Sequence, residues 1–486
     1  MPLLRPTLAL FSPDSWFYYA LSQTVFGDFY RTSLIRSYQT TSPYSTSFPP
    51  LIPVLLALSN RLFGIDPRQA VSLAALSGLA ITPILYLLFR RHLTAALACA
   101  TVASVSLWTY DPFRDEVFGG RTIPLCILCA LSAFAILLKP GELSFWTSGV
   151  VGLLLGLATL ARFDALMLSL AVFAYLAIRP RRKPQILAGA ALAYLLVLSP
   201  WLTHNYLRHK KPWVSDNSRV ATSATFSNAQ FFRDPPATVL TDPLAWSARV
   251  AKSLVRCAIE LAGALANAPL AAATLGFALS LLFFHPSRDT LGDPVLRRVA
   301  ALCLVALAGL GGQILIGFFD PRYFSFVILW TAIAALVIAI RVAPPQVLNL
   351  GMVALLVAGL VFGFQATRRS VGSARAQKPN YVYPELPPNA RVLSDWDCYE
   401  FGATTRITSM CLPLDWYDLR GEEQTAFIAK FRPTHFMRRT PPKEGLPVEL
   451  KAPRMGSRET PTIVLEAIPI EAWHSDLHAR AAPVRQ

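Results

Sequence analysis

The chain has 486 residues, 53% of them hydrophobic and 15% charged, with a net charge of +16. Its mean hydropathy is +0.43. An average soluble domain carries about 25% charged residues, so a water-soluble globular protein of this size is excluded. The basic excess does not signal nucleic acid. No DNA- or RNA-binding motif is present, and the cations gather at the ends of apolar segments, where anionic lipid and the positive-inside bias account for them.

In chain order, the first element is an aromatic stretch over Ser15–Phe26, with Trp16, Phe17, Tyr18 and Tyr19 suited to the headgroup level. Asp14 precedes it in Ser12-Pro13-Asp14-Ser15, where a helix N-cap is the plain reading. Pro50–Phe63 is apolar but short, and predicts a helix lying in the outer interface. Apolar segments long enough, or nearly so, to span follow at 70–89, 92–108, 122–138, 148–161, 163–178, 185–202, 268–284, 298–318, 323–341 and 347–364. Residues 246–266 read as a further interfacial helix.

The connections orient these segments. Arg90, Arg91, Lys139, Arg179, Arg181, Arg182, Lys183, Arg288, Arg297, Arg298 and Arg341 all fall on one side if every segment spans. By the positive-inside rule that side is the cytoplasm. The opposite, outer side receives residues 1–69, the loop 109–121, the long loop 203–267, the turn 319–322 and the tail from 365. Ten spans would leave the N-terminus outside with nothing to carry it there. MPLLRPTLALF is only a fragment of an apolar helix, so the expectation is that the true start lies upstream and one span is missing.

After Phe364 the composition changes. Residues 365–390 are polar and Pro-rich, as in a linker. Strands are expected at Arg391–Ser394, Arg406–Leu412, Thr434–Arg438 and Thr462–Ala467, with helices at Asp397–Thr404 and Glu422–Phe431. The fold class is therefore mainly α: a polytopic membrane domain over 1–364 with about ten transmembrane helices and interfacial helices in the outer loop 1–69. The linker 365–390 then leads to a small extracytoplasmic α/β domain over 391–486. Among the seven Cys, Cys126 and Cys129 sit in an apolar helix and read as small core residues rather than a redox pair. Cys398 and Cys411, both in the tail, could bridge in an oxidising compartment.

Ionisable groups at the outer ends of spans are the candidates for chemistry, because charge against the bilayer is costly. They are Asp14, the loop residues Asp111, Arg114, Asp115, Glu116 and Arg121, the pair Arg162 and Asp164, His204 and Lys210, and Asp320, Arg322 and Tyr323. Solvated ion pairs explain the loop, and snorkelling anchors explain each Arg taken singly. Several cations on one leaflet also make a lipid-phosphate site, since guanidinium forks match phosphate oxygens. No Walker A loop, H-E-x-x-H or G-x-S-x-G occurs. Charges sit at span ends rather than the midplane, which weighs against a transporter or flippase.

The order of several pieces resembles the GT-C superfamily, in its branch of dolichyl-phosphate-mannose protein mannosyltransferases and bacterial aminoarabinose lipid A transferases. The pieces are Pro13-Asp14 with its aromatic helix, Ser47 to Leu58 with its Pro-Pro start, the Leu-Phe-Gly ending at Gly64, the Gly-rich span from Gly152 ending in Arg162, Ser199-Pro200-Trp201 through Asn205, and Arg322-Tyr323. The resemblance implies an inverting glycosyltransferase at the outer face of the plasma membrane. It would use a polyprenyl-phosphate-linked sugar donor and a lipid, glycan or protein acceptor. It implies Asp14 as general base, with Arg162 and Arg322, and Arg121 and Lys210 beside them, stabilising the leaving phosphate, and His204 and Tyr323 standing in the matching segments. The loop acids Asp115 and Glu116, read from the loop itself, are a second set of groups facing Asp14 around the substrates. The family often pairs two acids in the first loop. Here Ser15 follows Asp14, so there is no D-x-D, and a divalent metal stays an open alternative. His204 stands where the family has Arg before Asn. The alternatives are a transporter and a non-catalytic protein of the same shape.

Overall fold

The structure is a computed structural model that describes residues 13–31, 34–35, 44–45, 48–90, 95–139, 143–178, 184–213, 239–284, 293–317, 319–374, 380–394, 398–411, 421–439 and 462–470. The expected upstream span bears on residues 1–12, which lie outside these, and so do the side chains of Cys398 and Cys411.

Each of the ten apolar segments is largely helical over its described residues, that at 298–318 being broken between Ala308 and Gly311. The helices are α1 (Pro13–Ser22), α2 (Leu51–Phe63), α3 (Arg68–Phe89), α4 (Ala96–Trp108), α5 (Asp111–Phe118), α6 (Ile123–Leu137), α7 (Phe145–Ala161), α8 (Ala165–Ile178) and α9 (Pro184–His209). They continue with α10 (Pro243–Ala266), α11 (Pro269–Phe284), α12 (Pro294–Ala308), α13 (Gly311–Ile316), α14 (Ser325–Val342) and α15 (Pro345–Ala374). A 3-10 turn at Pro321–Phe324 leads into α14. Five helical stretches among the described residues are long and apolar enough to cross a membrane alone. Two pairs bent sharply at a break, α5 with α6 at 112° and α10 with α11 at 96°, bring the total to seven if each pair is one span, and α2, α4, α7 and α8 are shorter apolar helices. Leu76, Leu79, Leu97, Leu195, Leu196, Leu304, Leu350 and Leu360 all point outward. So much exposed leucine is stable only against lipid, and the protein is a multi-pass membrane protein.

α14 is the central post. In its spanning window 72% of residues are buried, against 22% for α15, which is peripheral. Trp330 of α14 is buried and meets Phe134 of α6 edge-on, with ring centroids 4.9 Å apart. α7 and α9 touch backbone to backbone, because small residues recur on the facing surfaces. A Cβ placed on Gly152 would lie 1.9 Å from the Ala190 carbonyl oxygen, and one on Gly189 would lie 2.7 Å from that of Phe145. Gly152→Ala is therefore expected to lower the thermal midpoint of the detergent-solubilised protein, by the roughly 1–3 kcal/mol that overpacking costs. Gly276→Ala, which meets nothing within 4 Å, is expected to leave it unchanged. Equal midpoints for the two variants in a fluorescence melt would refute this account of the α7–α9 contact.

The aromatic stretch proves to be interior. Trp16, Phe17, Tyr18 and Tyr19 are all buried, packed with Tyr30, Phe48, Phe163 and Trp201. The aromatics thus form the core of a layer at one end of the helix bundle instead of lying against headgroups. α2 lies beside α1 and turns Leu58, Leu62 and Phe63 outward, as an interfacial helix should.

The tail elements are β2 (Asn380–Val382), β3 (Arg391–Ser394), α16 (Cys398–Thr405), β4 (Thr408–Cys411), α17 (Gly421–Phe431), β5 (His435–Arg439) and β6 (Thr462–Pro469). α15 continues past Phe364 to Ala374. A short strand, β1 (Leu34–Ile35), comes from the first loop. The six strands form one sheet in the order β1-β4-β3-β5-β6-β2, parallel except for the β5–β6 pair. α16 packs on α1 and Arg406 donates to Gln23 at 3.2 Å, so the sheet unit rests on the helix that carries Asp14.

Candidate functional site

The breaks between helices gather the charges. The Ser15 hydroxyl donates to the Gly119 carbonyl, which fixes the start of α1 over the α5–α6 turn. That turn needs Gly120, whose φ is +67° and whose Cβ would lie 2.9 Å from the Val71 amide nitrogen. Asp14 lies in the first turn of α1. Its carboxylate accepts from Arg322 Nη1 at 3.5 Å, across 308 residues of sequence. The same Nη1 donates to Glu116 Oε1 at 3.2 Å, and Arg121 Nη1 donates to that oxygen at 2.8 Å. Glu116 is fully buried, and its Oε2 has no hydrogen-bond partner among the described residues. Arg322 also faces Asp320 at 3.2 Å. The Asp111–Arg114 pair stays within its own helix, but its guanidinium is buried and not solvated as expected, and Glu116 is tied to the far turn.

A second guanidinium lies close by. Arg162 caps α7 in extended backbone, where Phe163 and Asp164 interrupt the apolar run. Asp164 holds it through both Nε, at 3.0 Å, and Nη2, at 2.9 Å. Arg162 Nη1 donates to Thr122 at 3.2 Å, and the Tyr323 ring lies 4.8 Å from Arg162 and 5.2 Å from Arg322. Burial alone would push Arg162 down, but Asp164, then Tyr323 and Glu116, outweigh it and hold the guanidinium well above its ordinary value. Burial pushes the Tyr18 phenol well up, and the Asp14 carboxylate adds to the rise, so Tyr18 stays a neutral partner to Thr122.

Two cavities meet at this cluster. One is an apolar cleft walled by α6, α8, α12 and α14, with Ile127, Ala130, Leu168 and Phe326 along it and Arg162, Asp164, Arg322 and Tyr323 at its polar end. The other, about 350 Å³, is lined by Pro112, Asp115, Arg121, Asp320, Pro321 and Arg322. Arg322 belongs to both. The cleft encloses only about 70 Å³, but it is apolar along its length and cationic at its end, the polarity that a hydrocarbon chain with an anionic head requires.

Of the residues singled out from sequence, Asp14, Glu116, Arg121, Arg162, Arg322 and Tyr323 converge, and Asp115 lines the polar cavity. His204 lies elsewhere, stacked on Trp201 with centroids 5.5 Å apart and edge-on to Phe29 and Tyr44. Lys210 is exposed, just past the end of α9, with φ +58°. None of the contacts described for either is with the cluster. Gln313 is a site neighbour that the sequence reading passed over: its buried amide donates to Asp164 Oδ2 at 2.7 Å. The signal was a single amide in an otherwise apolar stretch from Leu310 to Ile316. Cys126 lines the apolar cleft, and Cys126 and Cys129 are both free thiols.

No group of three His, Cys, Asp or Glu among the described residues is placed to hold a metal ion. The carboxylates nearest the centre do not fit one either, because Asp14 and Glu116 both face Arg322 and a divalent cation would have to displace the guanidinium.

Residues 47–204 match the model of the dolichyl-phosphate-mannose-protein mannosyltransferase family. No curated protein matches the chain by sequence. Among solved structures, ArnT from Cupriavidus metallidurans bound to undecaprenyl phosphate is similar at 14% identity and a TM-score of 0.51, covering 86% of this chain and 84% of its own. The apo oligosaccharyltransferase of Archaeoglobus fulgidus is similar at 15% identity and 0.54, covering 90% of this chain and 67% of its own. AglB from the same organism, in complex with an inhibitory peptide and a dolichol-phosphate, is similar at 12% identity and 0.50, covering 88% and 65%. Over residues 47–204 the chain is therefore similar to that family, and its fold is similar to the folds of ArnT and the oligosaccharyltransferases.

Proposed function

We propose that the protein moves a sugar from a polyprenyl-phosphate carrier to a hydroxyl group, by a single inverting displacement at the outer face of the membrane. The observation that carries this is the apolar cleft that ends on Arg162, Arg322 and Tyr323, with Asp14 in contact with Arg322. The lipid's phosphate takes the two guanidiniums and the first part of its chain enters the cleft, which has to widen from about 70 Å³ to take more of it. Carriers of this kind occupy two proteins of similar fold, as undecaprenyl phosphate and as dolichol-phosphate.

The chemistry follows from the ion pairs. Arg322 is shared between Asp14 and Glu116, and an incoming phosphate competes for it. That competition frees the Asp14 carboxylate to accept a proton from the acceptor hydroxyl as its oxygen bonds to the anomeric carbon. The bond from that carbon to the phosphate oxygen breaks, and its electron pair stays with the polyprenyl phosphate. A phosphate leaves without needing a proton, so Arg162 and Arg322 serve by stabilising its charge. Tyr323 packs against both guanidiniums and Asp164 orients Arg162.

The sidedness rests on two ends of the bundle. Arg298 reaches the Lys139 carbonyl and Arg341 pairs with Asp293, which brings the predicted cytoplasmic cations together at the end away from Asp14. Mass spectrometry of envelope glycolipids and glycoproteins with and without the gene is the test, paired with binding of undecaprenyl phosphate to the purified protein in nanodiscs. One glycoconjugate is expected to lose a sugar on deletion, and the lipid phosphate is expected to bind. Unchanged glycoconjugates together with no binding would defeat the reading.

A further inference from the structure

A third cavity, of about 450 Å³, opens beside the polar one, and the two share Pro112 and Pro321 as a common rim. It is formed where α4 passes into α5, at the α10–α11 bend, and against α15. Thr109, Asp111, Asn267, Phe362 and Gln365 supply its chemistry. The three cavities follow one another along the 3-10 turn: this one at Pro321, the polar one at Pro321 and Arg322, the apolar cleft at Arg322 and Tyr323. In a single displacement the nucleophile must approach the anomeric carbon from the side opposite the phosphate. With the carrier lipid in the cleft, that approach runs through the polar cavity from the third one.

We infer that this third cavity holds the acceptor, and that the acceptor group it takes is an uncharged sugar residue. The inference rests on the lipid-phosphate donor reading above. The volume falls within the range of about 300–1,000 Å³ usual for small-molecule sites. The lining contains two amides, the hydroxyls of Thr109 and Tyr110 (the latter donating to the Pro321 carbonyl), a carboxylate already engaged by Arg114, and the aromatic rings of Tyr110 and Phe362, but no Lys or Arg. Amides and a carboxylate match the alternating donors and acceptors of sugar hydroxyls, and the Phe362 ring offers an apolar face for the ring's C–H surface. A phosphorylated head group would find no Lys or Arg in the lining to neutralise its charge, and the guanidinium behind Asp111, that of Arg114, is already paired.

The test uses the full chain in lipid nanodiscs. Saturation-transfer NMR would be run with neutral methyl glycosides and disaccharides of common hexoses and pentoses, a glucosamine phosphate, and a Ser/Thr-containing peptide. Undecaprenyl phosphate binding would be followed separately by native mass spectrometry. At least one neutral sugar is expected to bind saturably. Asn267→Trp, which fills the cavity from an exposed position, should weaken that binding about tenfold or more, and Gln365→Ala should weaken it less. Undecaprenyl phosphate affinity is expected to be the same in all three proteins. Binding of the peptide or the phosphorylated sugar alone, no saturable neutral sugar, or a neutral sugar indifferent to both variants would overturn the inference while leaving the donor reading intact. Failure of the unaltered protein to bind undecaprenyl phosphate would overturn both.

Discussion

Asp14→Asn is expected to abolish sugar transfer, lowering the single-turnover rate by about 10²–10⁴-fold, the usual contribution of a positioned general base. The substitution keeps the size and shape of the side chain. It removes the charge that faces Arg322 and the site's means of accepting the hydroxyl proton. The fold should survive. Asp14 is 25% exposed and its 3.5 Å contact with Arg322 is long, so the pair contributes at most about 1 kcal/mol. Glu116 and Asp320 remain to hold the guanidinium. Undecaprenyl phosphate should bind the variant at least as well as the parent, because one competitor for Arg322 has been neutralised. Transfer at the parent rate by a well-folded Asp14→Asn protein would remove Asp14 from the mechanism. Weakened lipid-phosphate binding would show instead that Asp14 supports the phosphate site and does not compete for it.

Much of the architecture could be read from the sequence because it is written locally. Ten apolar runs are largely helical, and the strands and helices expected from Arg391 onward fall within a residue or two of the expected bounds, since period and turn residues mark both, whereas the expected linker 365–390 carries the end of α15 and the strand β2. What escaped depends on contacts between distant segments. β1 is two residues long and pairs Leu34 with Ser409, a partner no local pattern reveals. The aromatic helix looked interfacial by composition, yet Trp201 and Phe163, from far along the chain, cover it. The same limit applies to the site. Asp14, Glu116 and Arg322 each read as an ordinary cap, loop acid or anchor. Only the 3-10 turn, the α5–α6 bend and the Ser15–Gly119 bond bring them to one point. His204 and Lys210 were grouped with them by lying on the same side of the membrane, a criterion too coarse to separate the cluster from its aromatic surroundings.

Arg322→Ala should strike the donor first. Arg322 is the one residue that lines both the apolar cleft and the polar cavity, so it is expected to touch the phosphate before and during departure. Removing a preorganised charge of this kind costs about 10²–10³-fold in rate, and the loss should appear in both donor KM and kcat, with acceptor KM little changed. The structure also predicts a cost to the fold. Glu116 is fully buried and has Arg121 as its other ionic partner, and leaving a buried charge undercompensated costs roughly 3–5 kcal/mol. The double variant Arg322→Ala with Glu116→Gln separates the two effects. Neutralising Glu116 should restore much of the thermal midpoint without restoring transfer. Arg322→Lys should keep part of the charge but lose the fork that reaches Asp14 and Glu116 from one nitrogen and Asp320 from another. Its donor KM should therefore lie between those of the parent and Arg322→Ala. If the double variant regains stability and transfer together, the guanidinium is a structural counter-ion to Glu116 and the phosphate has to be held elsewhere.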